Sequence, residues 1–140
     1  MTQLIIKTIE FIPDNININV ILDMFKKKFN YTCNQEYGYI IDVISVEKII
    51  DSVISIYNGN VILTCEILIE NLLPIVNSKI KGIVKKIFPQ GFFIMVRNCM
   101  KIFVPNEGEK NIKIDSEVEV EIIQIRFLKG KYDCIGKLVY

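Results

Sequence analysis

The side chains that most often carry enzyme chemistry are scarce in this 140-residue chain. It has no histidine, which removes the commonest general base and every Ser-His or Cys-His nucleophile pair. Neither phosphate-binding glycine pattern, G-x-x-x-x-G-K or G-x-G-x-x-G, occurs in it. Glu117, Glu119 and Glu121 are spaced at period two, which is typical of the solvated face of a strand. We therefore expect a non-catalytic protein, and an enzyme built on the first half is the weakest hypothesis.

Cysteine and histidine side chains that could bind a metal ion are equally scarce. The four cysteines, Cys33, Cys65, Cys99 and Cys134, lie more than 30 residues apart and form no Cys-x-x-Cys pair. Without histidine, this spacing nearly excludes a zinc site, and we predict no metal and no cofactor. Scattered thiols in a protein without a secretory pattern are usually small buried hydrophobes, and we interpret these four in that way.

Charge divides the chain into two halves of opposite sign. Residues 1–75 carry 5 Lys against 4 Asp and 5 Glu, a net charge of −4. Residues 76–140 carry 10 Lys and 2 Arg against 2 Asp and 5 Glu, a net charge of +5. This asymmetry indicates two modules, and the basic one is a candidate for contact with a polyanion.

The basic half also contains aromatic side chains that could stack on bases. Phe93 and Phe103 are the candidates for stacking. The candidates for tracking phosphates from the same side are Lys101, Arg126, Lys129 and Lys131, together with Tyr132. Two alternatives stay open: Phe93, Met95 and Phe103 could form a dry contact with the first half or a partner, and the lysines could be a solvated face.

In the first half, the pattern predicts one helix on a sheet of three or four strands. The apolar spacing from Ile18 to Phe29 indicates a helix, preceded by a turn with a capping side chain at Pro13-Asp14-Asn15. Strands are predicted over residues 4–12, 39–45, 52–57 and 61–69, with residues 46–51 ambiguous between helix and strand. Asn58-Gly59 predicts a hairpin between the last two strands.

The second half predicts five antiparallel strands, at residues 80–88, 91–97, 101–104, 117–128 and 134–139. Five strands in about 65 residues suggest a small Greek-key barrel of the OB type. In the second of them, Phe92, Ile94 and Val96 should face the core, while the set containing Phe93 and ending in Arg97 should face outward. A bulge at Ile122-Ile123 is predicted to keep two apolar sets of the fourth strand in the core and to turn Gln124 and Arg126 outward.

Short motifs occur in a recognisable order along the chain. They are an opening strand followed by Pro13, then Tyr37-Gly38-Tyr39-Ile40-Ile41, a hairpin at Gly59, Leu73-Pro74 leading into Lys81-Gly82-Ile83-Val84, Gly91-Phe92-Phe93, and Ile135-Gly136-Lys137-Leu138. In this order the whole chain resembles the larger stalk subunit of archaeal and eukaryotic-type multisubunit DNA-directed RNA polymerases. Members of that family have a tip domain followed by an OB domain.

The resemblance implies an α+β tip domain over residues 1–74 that docks on the polymerase core, and an all-β OB domain over residues 75–140 that faces RNA. The residues it assigns to docking are Tyr37, Gly38, Tyr39, Asn58 and Gly59, with Leu73 and Pro74 as the interdomain joint. A smaller stalk subunit would be a further partner, in a heterodimer. Gln90 and Val104, or a neighbour of Val104, stand where RNA-binding relatives often carry an aromatic and a histidine, so sequence selectivity should be weak.

The sequence therefore predicts a stalk subunit that contacts emerging single-stranded RNA during transcription. The alternative is a free-standing OB-type protein that binds single-stranded RNA in translation or RNA decay. No apolar run approaches the ~18 residues of a membrane-spanning helix, and Met1–Glu10 lacks the pattern of a secretory signal, so an intracellular location without membrane contact is expected. That location is the nucleus, or the cytoplasm and virion if the abundance of Ile, Lys and Asn, which have AT-rich codons, reflects a large DNA virus.

Overall fold

The computed structural model describes residues 1–13, 17–106 and 112–139, which contain one helix and nine strands. The elements are β1 (Thr2–Phe11), α1 (Ile18–Phe29), β2 (Cys33–Asn34), β3 (Gly38–Ile54), β4 (Val61–Leu72), β5 (Lys79–Phe88), β6 (Gly91–Val96), β7 (Met100–Pro105), β8 (Glu117–Leu128) and β9 (Lys131–Leu138). Internal contacts divide the chain into two units. The first comprises Met1–Thr32 and Ile40–Leu72, and the second comprises Cys33–Tyr39 and Leu73–Tyr140.

The division falls at Leu72, close to the boundary that the sequence suggests, but the short segment Cys33–Tyr39 groups with the second unit. A helix with a small antiparallel sheet, followed by a closed five-stranded barrel, is the fold class that the sequence predicts, and this prediction is confirmed.

The sheet has the strand order β1-β4-β3-β2, with β4 paired antiparallel to β1 from Glu70 opposite Thr2 to Val61 opposite Phe11. Alternation along β4 explains its central position, because every second side chain enters the core. Its buried residues are Leu63, Cys65, Ile67, Ile69 and Asn71, and those of β1 are Ile5, Ile9 and Phe11. The apolar period of two therefore builds one buried face of this sheet.

Helix α1 begins and ends as its sequence predicts. Asn17 is the N-cap and its side chain accepts a hydrogen bond from the Val20 N–H at 3.0 Å, while three lysines occupy the last turn. Asp14 and Asn15, the predicted capping residues, lie outside the described residues. The apolar stripe buries Ile21 and Phe25. With 12 residues, α1 is too short to cross a membrane, and no other helix in the described parts of the chain is long and apolar enough to do so.

Strand β3 is 17 residues long and includes the segment 46–51, which is ambiguous in the sequence. A longer loop than the two-residue turn joins it to β4. The Ser55 N–H donates to the Asn60 carbonyl at 2.8 Å, and Gly59 adopts a φ of +72°, which favours glycine. The predicted hairpin is therefore present, although its first strand ends at Ile54 rather than at residue 57.

The barrel closes in the order β5-β6-β7-β9-β8. Strand β7 runs parallel to β9, with Lys101 opposite Asp133 and Phe103 opposite Ile135, whereas the other four pairings are antiparallel. The expectation of antiparallel strands throughout is therefore wrong at this one pairing. Strand β9 follows β8 after a two-residue turn and lies between β8 and β7, which closes the barrel.

The barrel core confirms the predicted register of β6, since Phe92, Ile94 and Val96 are buried. Gly82 permits a close approach of β5 to the Ile94 side chain of β6, because a Cβ at Gly82 would lie 2.4 Å from that side chain. The predicted bulge in β8 is confirmed by a register shift between Ile122 and Gln124. Ile123, however, is 48% exposed, so the bulge expels this side chain from the core instead of retaining it.

Candidate nucleic-acid interface

Two rows of outward side chains cross the barrel. Cross-strand pairs join Lys86 to Phe93, Phe93 to Phe103, Phe103 to Ile135 and Ile135 to Gln124. Directly paired residues point to the same side of a sheet, so this row runs over all five strands. The adjacent row consists of Met95, Lys101, Asp133 and Arg126. We call the surface formed by these nine residues the barrel face.

Aromatic rings form the centre of the barrel face. The Phe93 and Phe103 ring centroids lie 5.3 Å apart, with their planes tilted by 53°. Phe88, at the end of β5, packs edge-on against Phe93 with the centroids 5.8 Å apart. Phe93 and Phe103 are half-buried and Phe88 is exposed, so the three rings offer a partly open apolar surface. Rings in this setting can stack with planar groups from solution.

A concavity of about 320 Å³ lies on one side of Phe93, and we call it the lysine pocket. Its walls include Phe88 and Met95 and three lysines, Lys85, Lys86 and Lys101. Lys85 is 3.6 Å from the Asp115 carboxylate, an exposed pair of small energetic weight. The pocket thus combines aromatic surface with cations.

A second concavity, of about 270 Å³, lies on the other side of Phe93, and we call it the arginine pocket. Its walls include Phe93, Phe103, Gln124, Arg126, Asp133 and Ile135. The Arg126 Nη2 atom lies 3.5 Å from Asp133 Oδ2, and both side chains are about two-thirds exposed. This pocket presents a donor and an acceptor side by side, next to two rings.

The predicted RNA-binding residues do not all lie on the barrel face. Phe93, Lys101, Phe103 and Arg126 do, and each lines at least one of the two pockets. Lys129 and Lys131 are exposed at the turn between β8 and β9, and neither contributes to the walls of either pocket.

Tyr132 has a structural position instead of the predicted surface position. It is 7% exposed, and its hydroxyl donates to the Gln35 carbonyl at 2.5 Å. Its N–H donates to the Tyr39 hydroxyl at 3.1 Å, and burial raises its pKa. Tyr132 is therefore inaccessible to phosphates, because β9 alternates and places it on the inward side between exposed Lys131 and Asp133. Its contacts hold the segment Cys33–Tyr39 against β9.

The tyrosines predicted to dock on a polymerase are also buried. Tyr37 and Tyr39 are each 6% exposed, and Gly38 between them adopts a φ of +79°. Burial raises the pKa of Tyr39 to about 12. Both side chains are therefore inaccessible to a docking partner, and that of Tyr39 packs against Tyr132 within the second unit. Of the predicted joint residues, Pro74 is buried and Leu73 is half-buried.

Asn58 and Gly59, the other predicted docking residues, are exposed in the loop after β3. The Asn58 side-chain amide donates to Glu10 Oε1 at 3.1 Å, which ties the loop to the end of β1. Beside them the structure reveals an exposed apolar set that comprises Ile49, Ile50, Val53, Ile54, Ile56 and Tyr57. We call these six residues the hairpin patch. Ile56 and Tyr57 are 90% and 92% exposed.

Lys85, Lys86, Phe88 and Asp133 belong to the two pockets but are missed by sequence reasoning. A register shift between Val84 and Lys86 turns Lys86 toward Phe93, and such a shift leaves no pattern in β5. Asp133 is missed because the predicted strand begins at Cys134, whereas β9 begins at Lys131 and includes Asp133.

The chain was compared with protein-family models and with curated proteins. No protein-family model matches the chain, and no curated protein matches it.

Proposed function

We propose that this chain is a non-catalytic subunit of a multisubunit DNA-directed RNA polymerase, a stalk subunit that contacts emerging single-stranded RNA through the barrel face. The observation that supports RNA contact most strongly is the row of packed aromatic rings, Phe88, Phe93 and Phe103, with Lys85, Lys86 and Lys101 beside it. This combination suits a flexible polyanion that carries planar bases.

Single-stranded nucleic acids bind proteins by stacking bases on aromatic rings while cations follow the backbone. Barrels of this type use the surface of their second and third strands for that purpose. Phe93 on β6 and Phe103 on β7 occupy those strands here. Stacking tolerates any base and gives about 1 to 3 kcal/mol per base, so the barrel face should bind RNA with modest selectivity.

Attachment to a polymerase core is the part of the proposal that the hairpin patch supports. Six apolar residues of β3 and its loop are exposed, among them Ile54, Ile56 and Tyr57, and because side chains alternate along a strand those of β3 lie on both of its faces. A concentration of exposed apolar side chains in a folded protein commonly marks a protein interface. The order of sequence motifs, which resembles that of polymerase stalk subunits, supports the core as the partner.

The alternative function is a free-standing single-stranded RNA-binding protein in translation or RNA decay. One observation favours it: every residue of the barrel face belongs to the second unit, so RNA contact requires nothing from the hairpin patch. Under this alternative, the patch would bind no polymerase subunit.

Affinity purification of the tagged chain from its native cells distinguishes the two functions. A stalk subunit should recover the polymerase core subunits in stoichiometric amount, together with RNA. A free-standing protein should recover RNA without core subunits. Recovery of neither, under conditions where the protein is folded, would contradict both proposals.

A further inference from the structure

The two pockets beside Phe93 differ in charge, although they share that ring. The lysine pocket carries three lysines, whereas the arginine pocket pairs its one cation with the Asp133 carboxylate. We propose that the arginine pocket is a nucleobase subsite that prefers guanine within a bound single strand. This inference rests on the proposed RNA binding and adds a base preference to it.

The carboxylate indicates a base and not a phosphate in this pocket. An ionised Asp133 accepts hydrogen bonds and donates none, and it repels an anion. Its contact with Arg126 is long, at 3.5 Å between Nη2 and Oδ2, which leaves carboxylate lone pairs free for another partner. Base edges offer N–H donors to such an acceptor, whereas the phosphate backbone offers none.

Guanine matches the arrangement of donor and acceptor best. Its pairing edge presents O6 as an acceptor followed by two donors, N1–H and the N2 amino group. The Asp133 carboxylate can accept from both donors, and the adjacent Arg126 guanidinium can donate to O6. Adenine and cytosine each offer one amino group as a donor. Uracil has a carbonyl on either side of its single N–H, and these carbonyl oxygens would be repelled by the carboxylate.

The rings of the pocket favour a purine for a second reason. Phe93 and Phe103 line the pocket with their planes tilted by 53°, so a base can stack on one ring at a time, and a pocket of about 270 Å³ admits a two-ring base. A larger base stacks over more ring surface. Phe93 also borders the lysine pocket, so one ring can separate adjacent nucleotides, with the lysines near the phosphate of the neighbour.

The test is a fluorescence anisotropy titration of the full chain with octamers of uridine that carry a single central G, A, C or U. We expect the G octamer to bind roughly fivefold more tightly than the all-U octamer. This ratio is near the lower end of the discrimination that a carboxylate or guanidinium contact gives between bases, because both side chains are solvated. GMP as a competitor should displace the octamer only in large excess. Displacement at equal concentration would indicate a mononucleotide site and overturn the proposal.

Asp133→Asn provides the decisive variant, because an amide cannot accept from two donors with both of its polar atoms. The affinity for the G octamer relative to the all-U octamer should fall to about that for the A octamer, while all-U RNA should bind more tightly, since a negative charge is removed from the barrel face. Glu121→Gln is the matched control. It removes a carboxylate from the same barrel, one that pairs with Lys137 at 3.3 Å and does not line the arginine pocket, and it should retain the preference.

The outcomes separate this inference from the proposed function. Equal affinity for all four octamers would overturn the guanine subsite and leave RNA binding intact. A G preference that survives Asp133→Asn, or that disappears in Glu121→Gln, would also overturn it. Failure of every octamer to bind would overturn the proposed RNA contact itself.

Discussion

The hairpin patch and the barrel face are both exposed apolar surfaces, but they expose different side chains. The hairpin patch is aliphatic apart from Tyr57, and residues 47–54 of its strand include two acidic residues, Glu47 and Asp51, against Lys48. On the barrel face, two neighbouring aromatic rings lie among the cations Lys86, Lys101 and Arg126, with the Asp133 carboxylate beside Arg126. Aliphatic surface without net positive charge suits a protein partner, and rings among cations suit a strand of RNA. Exposure alone thus says little about a partner until side-chain chemistry is considered.

The largest expected effect tests the hairpin patch. Ile56→Asp combined with Tyr57→Asp should reduce recovery of polymerase core subunits roughly tenfold or more, because charges would enter a buried apolar contact. The melting temperature should stay unchanged, since the two side chains are 90% and 92% exposed. Ile12→Asp, at another exposed apolar residue of the first unit, is the control and should preserve recovery. Undiminished recovery in the double variant would exclude the patch as the docking site.

Removal of the central ring tests the barrel face. Phe93→Ala should weaken single-stranded RNA binding by about 1 to 3 kcal/mol with little change in salt dependence, because the variant removes a stacking surface and no cation. Ile87→Ala is the control, since Ile87 is an exposed apolar residue of β5 that lines neither pocket. If Phe93 instead contacts a protein partner, the variant should bind RNA normally and fail to bind that partner.

Changes of charge should give a smaller, graded effect. Replacing Lys85, Lys86 and Lys101 by Gln should reduce the slope of log affinity against log salt by roughly 0.7 for each phosphate that the variant no longer neutralises, almost equally for all RNA sequences. Lys129→Gln with Lys131→Gln should change the slope less, because these residues lie outside both pockets. Titrations at two salt concentrations measure the slopes. An equal or larger change of slope in the variant with Lys129→Gln and Lys131→Gln would indicate that the phosphates bind at the β8–β9 turn.

Alkaline pH tests stability instead of binding, through the burial of two titratable groups. Burial raises the pKa of Cys134 from 9.0 to about 11 and that of Tyr39 from 10.0 to about 12. The folded state keeps both groups protonated where the unfolded state has released the protons, so the free energy of unfolding should decrease from pH 9 to pH 12. Urea denaturation should show a shallower decrease in Tyr39→Phe. A decrease as steep as that of the wild-type chain would contradict the assigned burial of Tyr39.

The sequence allows prediction of the features that follow from local periodicity. Alternation in β6 correctly places Phe92 in the core and Phe93 outside, and helix α1 follows its apolar stripe from Ile18 to Phe29. Features that depend on long-range pairing are missed. The sequence predicts Tyr132 at the surface because its strand is predicted to begin at Cys134, too late to include it.

The candidate site shows the same division. Phe93, Phe103, Lys101 and Arg126 can be placed on one surface from the sequence because their strands alternate regularly. Lys86 reaches that surface only through the irregularity between Val84 and Lys86, which no pattern in β5 marks. Tyr37 and Tyr39 are assigned to docking by resemblance. Their burial depends on tertiary packing, which residue spacing does not encode.

RNA should bind the barrel face and not the hairpin patch. An NMR titration of the 15N-labelled chain with oligouridine is the decisive experiment, since changes in amide chemical shift report contact residue by residue. We expect the largest shifts on β6 and β7 around Phe93, Lys101 and Phe103, with β3 and its loop unperturbed. Shifts concentrated between Ile49 and Tyr57, or the absence of any shift at saturating RNA, would contradict it.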